Sequence, residues 1–286
     1  MKKRLNKDKM KSFFESKKRN SINLNIIGDV NYKKGLSRIG GNPDVVKGFE
    51  WPYFEGEGID GSIESRPLSF LAQFNCEEIS KYDADNILPK KGLLSFFYEK
   101  QSERWGYDVE DKGCGRVYWF ENIDALEKKE FPKDLDNDYK LPMKSIEFNQ
   151  EISLPALEEL IDLYKFEIDD YEELMDEYEI ELERENSSKL LGWPELMQNS
   201  IAPECELISK NYSLGSSDNW SQIPNKIKKE AKKNAMDKWI LLFQLDSQFF
   251  DDFEFMFDDC GKLYFYIKKE DLENRNFEDV WVSLQC

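Results

Sequence analysis

Two stretches of this 286-residue chain make the same unusual choice. In RPLSFLAQFN, residues 66–75, a glutamine interrupts an apolar run and an asparagine follows two positions later. In KWILLFQLDS, residues 238–247, the glutamine returns and an aspartate follows at the same interval. Short apolar runs of this kind read as buried strands. An amide left unpaired inside one costs about 1–3 kcal/mol. The surroundings of the two runs match as well. IGGNP at 39–43 precedes the first and LLGWPELMQ at 190–198 the second; GLLSFFY at 92–98 and GKLYFYI at 261–267 follow. Each series closes on one more strand, RVYWF at 116–120 and VWVSLQ at 280–285. Four signals in one order, twice, indicate a duplicated β-rich unit.

Strict alternation places Phe70, Ala72 and Phe74 on one strand face and Ser69, Leu71, Gln73 and Asn75 on the other. Leu242, Gln244 and Asp246 are the equivalents in the second copy. Two readings of the repeated Gln pair stand side by side. Gln73 and Gln244 bond the backbone of the Gly-Pro loops or bridge the pseudo-symmetric seam; or Gln73, Asn75, Gln244 and Asp246 line one shared ligand cleft.

The repeats are separated by residues 151–186, which hold fifteen acids against Lys165 and Arg184. Ser153 and Pro155 carry helix-start signals. Leu157, Ile161, Tyr164, Ile168, Tyr171, Met175, Tyr178 and Leu182 follow at helical spacing, as one helix or as two with Asp169-Asp170 capping the second. The expectation is an acidic helical connector. Residues 1–20, with nine Lys/Arg and two acids, predict a basic N-terminal helix, followed by a short strand at INLNII. The connector, a first half over 36–120 and a second over 188–286 make one domain of class α+β, mainly antiparallel.

Charge and composition exclude several functions. The chain carries −18 overall, and its first twenty residues are +7, so the remainder holds −25. Such a body repels nucleic acid and anionic lipid and attracts a basic protein. There is no histidine, which removes Ser-His-Asp and Cys-His catalysis and every His-ligated metal site. The five cysteines are scattered and never spaced C-x-x-C, as expected for a reducing, cytoplasmic setting. Neither a signal-type apolar region nor a membrane-length apolar run is present.

The pieces SRIGGNP, Trp51-Pro52, PLSFLAQFN, LPKKGLLSFFY, LLGWPELMQ, WILLFQLDS, GKLYFYIKKEDL and VWVSLQ together resemble the YwqG family, a bacterial family of unknown function. The resemblance runs from about residue 36 to the C-terminus. It implies an α+β cytoplasmic protein without an assigned catalytic site. Phe257-Asp258-Asp259-Cys260-Gly261 departs from the family's Trp-Gly-Asp-x-Gly, and a histidine common before the second Gly-Pro segment is replaced near Ser188-Lys189.

Three further groups are candidates. Asp246, Asp258 and Asp259 fall at strand ends and offer oxygens to a hard cation, or are ordinary turn residues. Trp51, Trp105 and Trp193 in Gly/Pro loops are a recognition platform or core plugs. Cys114, beside Lys112 and Arg116, is a reactive thiol or a plain loop cysteine. No cofactor is implied. The leading expectation is a non-catalytic binding module for a basic protein, of immunity or antitoxin type. The alternatives are a metal- or carboxylate-dependent hydrolase and a small-ligand sensor, both using a cleft between the halves. Oligomeric state is not readable.

Overall fold

The computed structural model describes residues 3–58, 61–161, 164–180, 187–250 and 253–286. Its centre is a ten-stranded sheet, antiparallel throughout. In chain order its strands are β1 (Arg19–Asp29), β2 (Arg38–Ile39), β3 (Ser69–Asn75), β4 (Leu93–Tyr98) and β5 (Gly115–Phe120). They continue with β6 (Lys144–Ser153), β7 (Lys189–Leu191), β8 (Trp239–Asp246), β9 (Lys262–Lys268) and β10 (Trp281–Gln285). Across the sheet the order is β10-β9-β8-β7-β1-β6-β2-β3-β4-β5.

That order reads the same from both ends once β1–β5 are matched to β6–β10. The pseudo-dyad passes between β1 and β6, which pair along their whole length. There the halves trade strands: β1 pairs with β7 of the second half, and β6 pairs with β2 of the first. The structural repeat is therefore longer than the motifs predict. INLNII belongs to an eleven-residue strand, and residues 144–153, the last three of which were expected to open the helical connector, are its ten-residue counterpart. Their alternation is muted because both strands are polar, so the period-2 signal was weak.

The sheet folds over so that its halves face each other. Phe74 and Phe96 of the first half meet Phe243 and Phe265 of the second, with ring centroids 4.8–5.3 Å apart. The free ends of the sheet approach as well, since Leu284 N–H donates to Trp105 O at 3.0 Å. A β-bulge explains one correction. The register slips between Phe70 and Ala72 and again between Leu241 and Phe243, leaving Leu71 and Leu242 as the extra residues. Phe70 consequently pairs with Phe97 and lies on the Gln73 face, not on the face of Phe74. Neither strand has a solvent face: β8 is buried throughout, and β3 except at Asn75.

The α-helices among the described residues are α1 (Lys7–Lys17), α2 (Cys76–Ile79), α3 (Leu157–Ile161), α4 (Ile168–Glu177), α5 (Ile201–Ile208), α6 (Ser217–Gln222), α7 (Asn225–Lys238) and α8 (Lys269–Glu273). The outer face of β8–β9 is covered by α5 and α7 through Ile201, Cys205, Ala235, Leu241, Tyr264 and Tyr266. The connector is not one seam. Helices α3 and α4 are short and separated by an extended step at Tyr164–Lys165, and Ile161 and Ile168 are exposed. Leu182 lies outside the described residues. Asp169 and Asp170 fall in the first turn of α4, where the helix N-terminus favours acids. Ser153 ends β6 instead of capping a helix; its Oγ accepts from Trp193 N–H at 2.9 Å.

The basic helix packs on the acidic one. Phe14 and Met10 bury against Tyr171, Leu174 and Met175, and Phe13 meets Tyr164 edge-on. Lys7 pairs with Glu173 and Glu177, Lys11 with Glu177 and Arg4 with Glu167. Part of the connector's charge is thus neutralised by the chain itself. Among the described residues no helix is long and apolar enough to cross a membrane.

Candidate functional site

Each repeated glutamine closes a buckle over its own Gly-Pro loop. In the first half Asp44 N–H donates to Gln73 Oε1 at 3.0 Å, while Gln73 Nε2 donates to Leu36 O at 2.9 Å and to Asp44 Oδ2 at 2.7 Å. In the second half Glu195 N–H donates to Gln244 Oε1 at 3.0 Å, and Gln244 Nε2 donates to Ser187 O at 2.8 Å. A serine completes each copy: Asn75 N–H donates to Ser37 Oγ at 2.8 Å, and Asp246 N–H to Ser188 Oγ at 3.1 Å. A cation–acid pair spans each loop, Arg38–Asp44 at 3.0 Å and Lys189–Glu195 at 2.8 Å. This answers why an amide is retained twice. A buried glutamine supplies both the acceptor and the donors that a loop's backbone needs, and an apolar residue supplies neither.

The two buckles lie apart. Pairing places Gln73 on the Phe97 face and Gln244 on the Tyr264 face, the outer faces of their halves, while the inner faces are packed with phenylalanine. Their hydrogen bonds to described residues stay within their own halves. The structure brings Gln73 together with Asn75's strand end, and Gln244 with Asp246 through Ser187, but it does not bring the four residues to one cleft.

The other candidates are placed as follows. Asp246 accepts from Ser187 N–H at 2.7 Å and from Ser187 Oγ at 2.9 Å. Asp258 sits on an exposed turn against the Cys286 thiol at 3.1 Å, with Asp259 beside it. No three His, Cys, Asp or Glu among the described residues form a group that could hold a metal ion. Trp193 is buried; its indole N–H donates to Lys17 O at 2.7 Å and Arg19 stacks 3.6 Å from its ring. Trp51 donates to Leu68 O at 2.9 Å and packs edge-on against Phe97. Trp105 also packs on the main core. Cys114 is buried, and burial pushes its thiol well above the ordinary range, the opposite of an activated nucleophile.

One buckle adjoins a cavity. Beside the Trp193-Pro194-Glu195 loop, a cavity of about 260 Å³ opens between the end of β6, α3 and α4. Ile152, Leu157, Ile168 and Met175 supply apolar wall, and Ile152 and Ile168 are more than half exposed. The acids around it are Glu151, Glu158, Glu172 and Glu195, with Lys189, held by Glu195, as the one lining cation among the described residues. Sequence reasoning named Trp193 but not this rim. The signal was present as the acid density of 151–186, without a fold to say which acids converge.

This arrangement can seat a long aliphatic side chain that ends in a positive charge: the stem lies on apolar wall and the head meets carboxylates. A family comparison matches residues 37–286 to the model described as Domain of unknown function (DUF1963), and the chain belongs to that family. A comparison with curated proteins finds no match.

Proposed function

We propose that this member of the domain-of-unknown-function family is a non-catalytic cytoplasmic binding protein, and that it recognises a basic protein partner of immunity or antitoxin type. The single observation that carries the reading is the acid-rimmed, apolar-walled cavity beside the second buckle. Its chemistry matches a lysine or arginine anchor, and its size suits one such side chain. The surrounding surface reinforces the attraction: Asp169, Glu172 and Asp176 on α4 are exposed and make no ion pair with a described residue, although α1 occupies Glu173 and Glu177. All five cysteines are free, in keeping with a reducing compartment.

The test is capture from native-host lysate with three baits: wild type, Glu158→Lys/Glu172→Lys, and a control Glu77→Lys/Asp124→Lys in the first half. The reading expects one basic protein, retained by wild type and control at low salt, released as salt rises, and lost with the cavity variant. Equal recovery by all three baits, or no basic protein on any, overturns it.

A further inference from the structure

We propose that a second cavity, bounded by α5, α6 and α7, binds a small organic compound bearing one ammonium group, with Glu204 as the residue that holds the charge. The cavity measures about 430 Å³ and is lined by Tyr107, Ser200, Glu204, Leu207, Trp220 and Lys232, among others. It is separate from the acid-rimmed cavity described above, and the proposal does not rest on a protein partner.

An unpaired carboxyl oxygen belongs to a residue of this wall, and two more unpaired atoms are linked to it. Buried side-chain atoms in folded proteins are nearly always hydrogen-bonded, and each exception calls for a reason. Here Glu204 lines the cavity, and its Oε2 is buried without a hydrogen-bond partner. Glu159 is 4 % exposed, and its Oε1 is also unpaired. Its other oxygen accepts from Ser200 Oγ at 2.5 Å, and Ser200 lines the cavity. The hydroxyl of Tyr266, a residue 2 % exposed, is a third unpaired atom, and the charge of Glu159 acts on both it and Glu204. The orphan Glu204 oxygen, once ionised, asks for an N–H donor, which an ammonium group carries and a carboxylate or phosphate does not.

The rest of the wall narrows the class. Tyr107 and Trp220 supply aromatic surface, which favours a cation. Lys228 Nζ already lies 4.6 Å from the Trp220 ring centroid. Leu207 and Leu214 offer a seat for an apolar body. Lys232 disfavours a second positive centre, so the guest is a monocation with an apolar part. Burial, with Glu159 from α3 adding and Lys232 from α7 opposing, pushes the Glu204 carboxyl up to about 8. A bound ammonium needs the ionised form, so at pH 7 the guest displaces a proton.

The experiment is titration calorimetry of the full chain at pH 6–9 with methylammonium, n-butylammonium and phenethylammonium. Cadaverine and n-butanol serve as the dicationic and neutral comparators, and two buffers of different ionisation enthalpy count protons. At least one monoammonium probe is expected to bind with close to one proton released at pH 7. Its affinity should rise about fivefold from pH 7 to 8 and flatten above 9, as follows for a carboxyl titrating near 8. Glu204→Gln, which mimics the neutral carboxyl and should fold normally, is expected to weaken binding tenfold or more, and Trp220→Ala on the surface several-fold. Cadaverine should bind more weakly than n-butylammonium. The proposal is overturned if no monoammonium probe binds with proton release, if Glu204→Gln binds like wild type, or if n-butanol binds equally well.

Discussion

The first and second buckles are built from the same parts and end in different environments. In the first, Arg38 and Asp44 are both fully buried, and Asp44 also accepts from Tyr32 Oη at 2.8 Å and Gly35 N–H at 2.9 Å. In the second, Glu195 keeps a quarter of its side chain exposed and faces a cavity. The backbone differs in the same sense. Gly40 (φ 59°) occupies the left-handed position of the first loop, where an added Cβ would lie 2.2 Å from Pro142 O. The second loop places Leu191 there at φ 61°. A left-handed leucine costs on the order of 1–2 kcal/mol and persists where packing over-determines it. Duplication thus produced one sealed copy that serves stability and one strained, open copy that lies beside the acidic connector. The open copy is the one that adjoins the acid-rimmed cavity.

The largest expected effect tests that asymmetry. Asp44→Ala leaves Arg38 as a fully buried charge without its acid and should cost about 3–5 kcal/mol in urea unfolding; Glu195→Ala takes an acid from the buried Lys189 as well, but one that is a quarter exposed, and should cost less. Similar losses would end the distinction between sealed and open copies.

Next comes pH, because the buried acids on the two sides titrate in opposite directions. Burial opposes the ionised Asp44, but the hydrogen bond from Gln73 and the charge of Arg38 hold its carboxyl below the ordinary value. Its contribution is therefore present above the unfolded carboxylate range, near pH 4, and is lost as pH falls through the depressed native value. Glu159 is pushed up by burial to about 7. Its native state binds the proton more tightly, so stability is full below about pH 4.3 and declines as pH rises to about 7, by on the order of 2–3 kcal/mol. Glu159→Gln should remove Glu159's share of the neutral-range decline, leaving the share of Glu204, whose carboxyl is also raised, and the acid limb unchanged. An unchanged decline would contradict the assignment.

A smaller effect tests what the copies share. Gln73→Leu and Gln244→Leu each orphan a loop N–H and a carbonyl, so each should cost about 1–3 kcal/mol, and the two should agree closely. A negligible loss for Gln244 alone would return it to the list of ligand contacts. The smallest effect concerns surface pairs. Lys7→Ala/Lys11→Ala should speed amide exchange in α1 while leaving the global unfolding midpoint in place, because exposed ion pairs hold the helix less than Met10 and Phe14 do.

The fold class and the duplication were legible because the apolar runs, Gly-Pro loops and Gly-x-Leu-x-Phe strands repeat as local patterns. The strand exchange was not, since β1 and β6 are polar strands whose partners are set by tertiary pairing. The face assignment of Phe70 failed at a bulge, which leaves no mark in an apolar run. In the connector, Ile161 and Ile168 keep helical spacing yet are exposed, while Leu160, Tyr171, Leu174 and Met175 take the buried places of the cluster around α1. Gln73 and Gln244 were recognisable as unusual, and their loop partners were one of two open readings. The acid rim was invisible because Glu151, Glu158, Glu172 and Glu195 meet only after β6, α3, α4 and the second loop are folded together.

The most direct measurement is hydrogen–deuterium exchange of the protein with and without the basic protein that the proposed capture is expected to return. Protection is predicted over residues 151–158, 168–176 and 193–196, with the Arg38–Asp44 loop unchanged. Protection that falls on the first half instead, or that leaves the acid-rimmed cavity unprotected, would contradict the claim that the open copy is the binding copy.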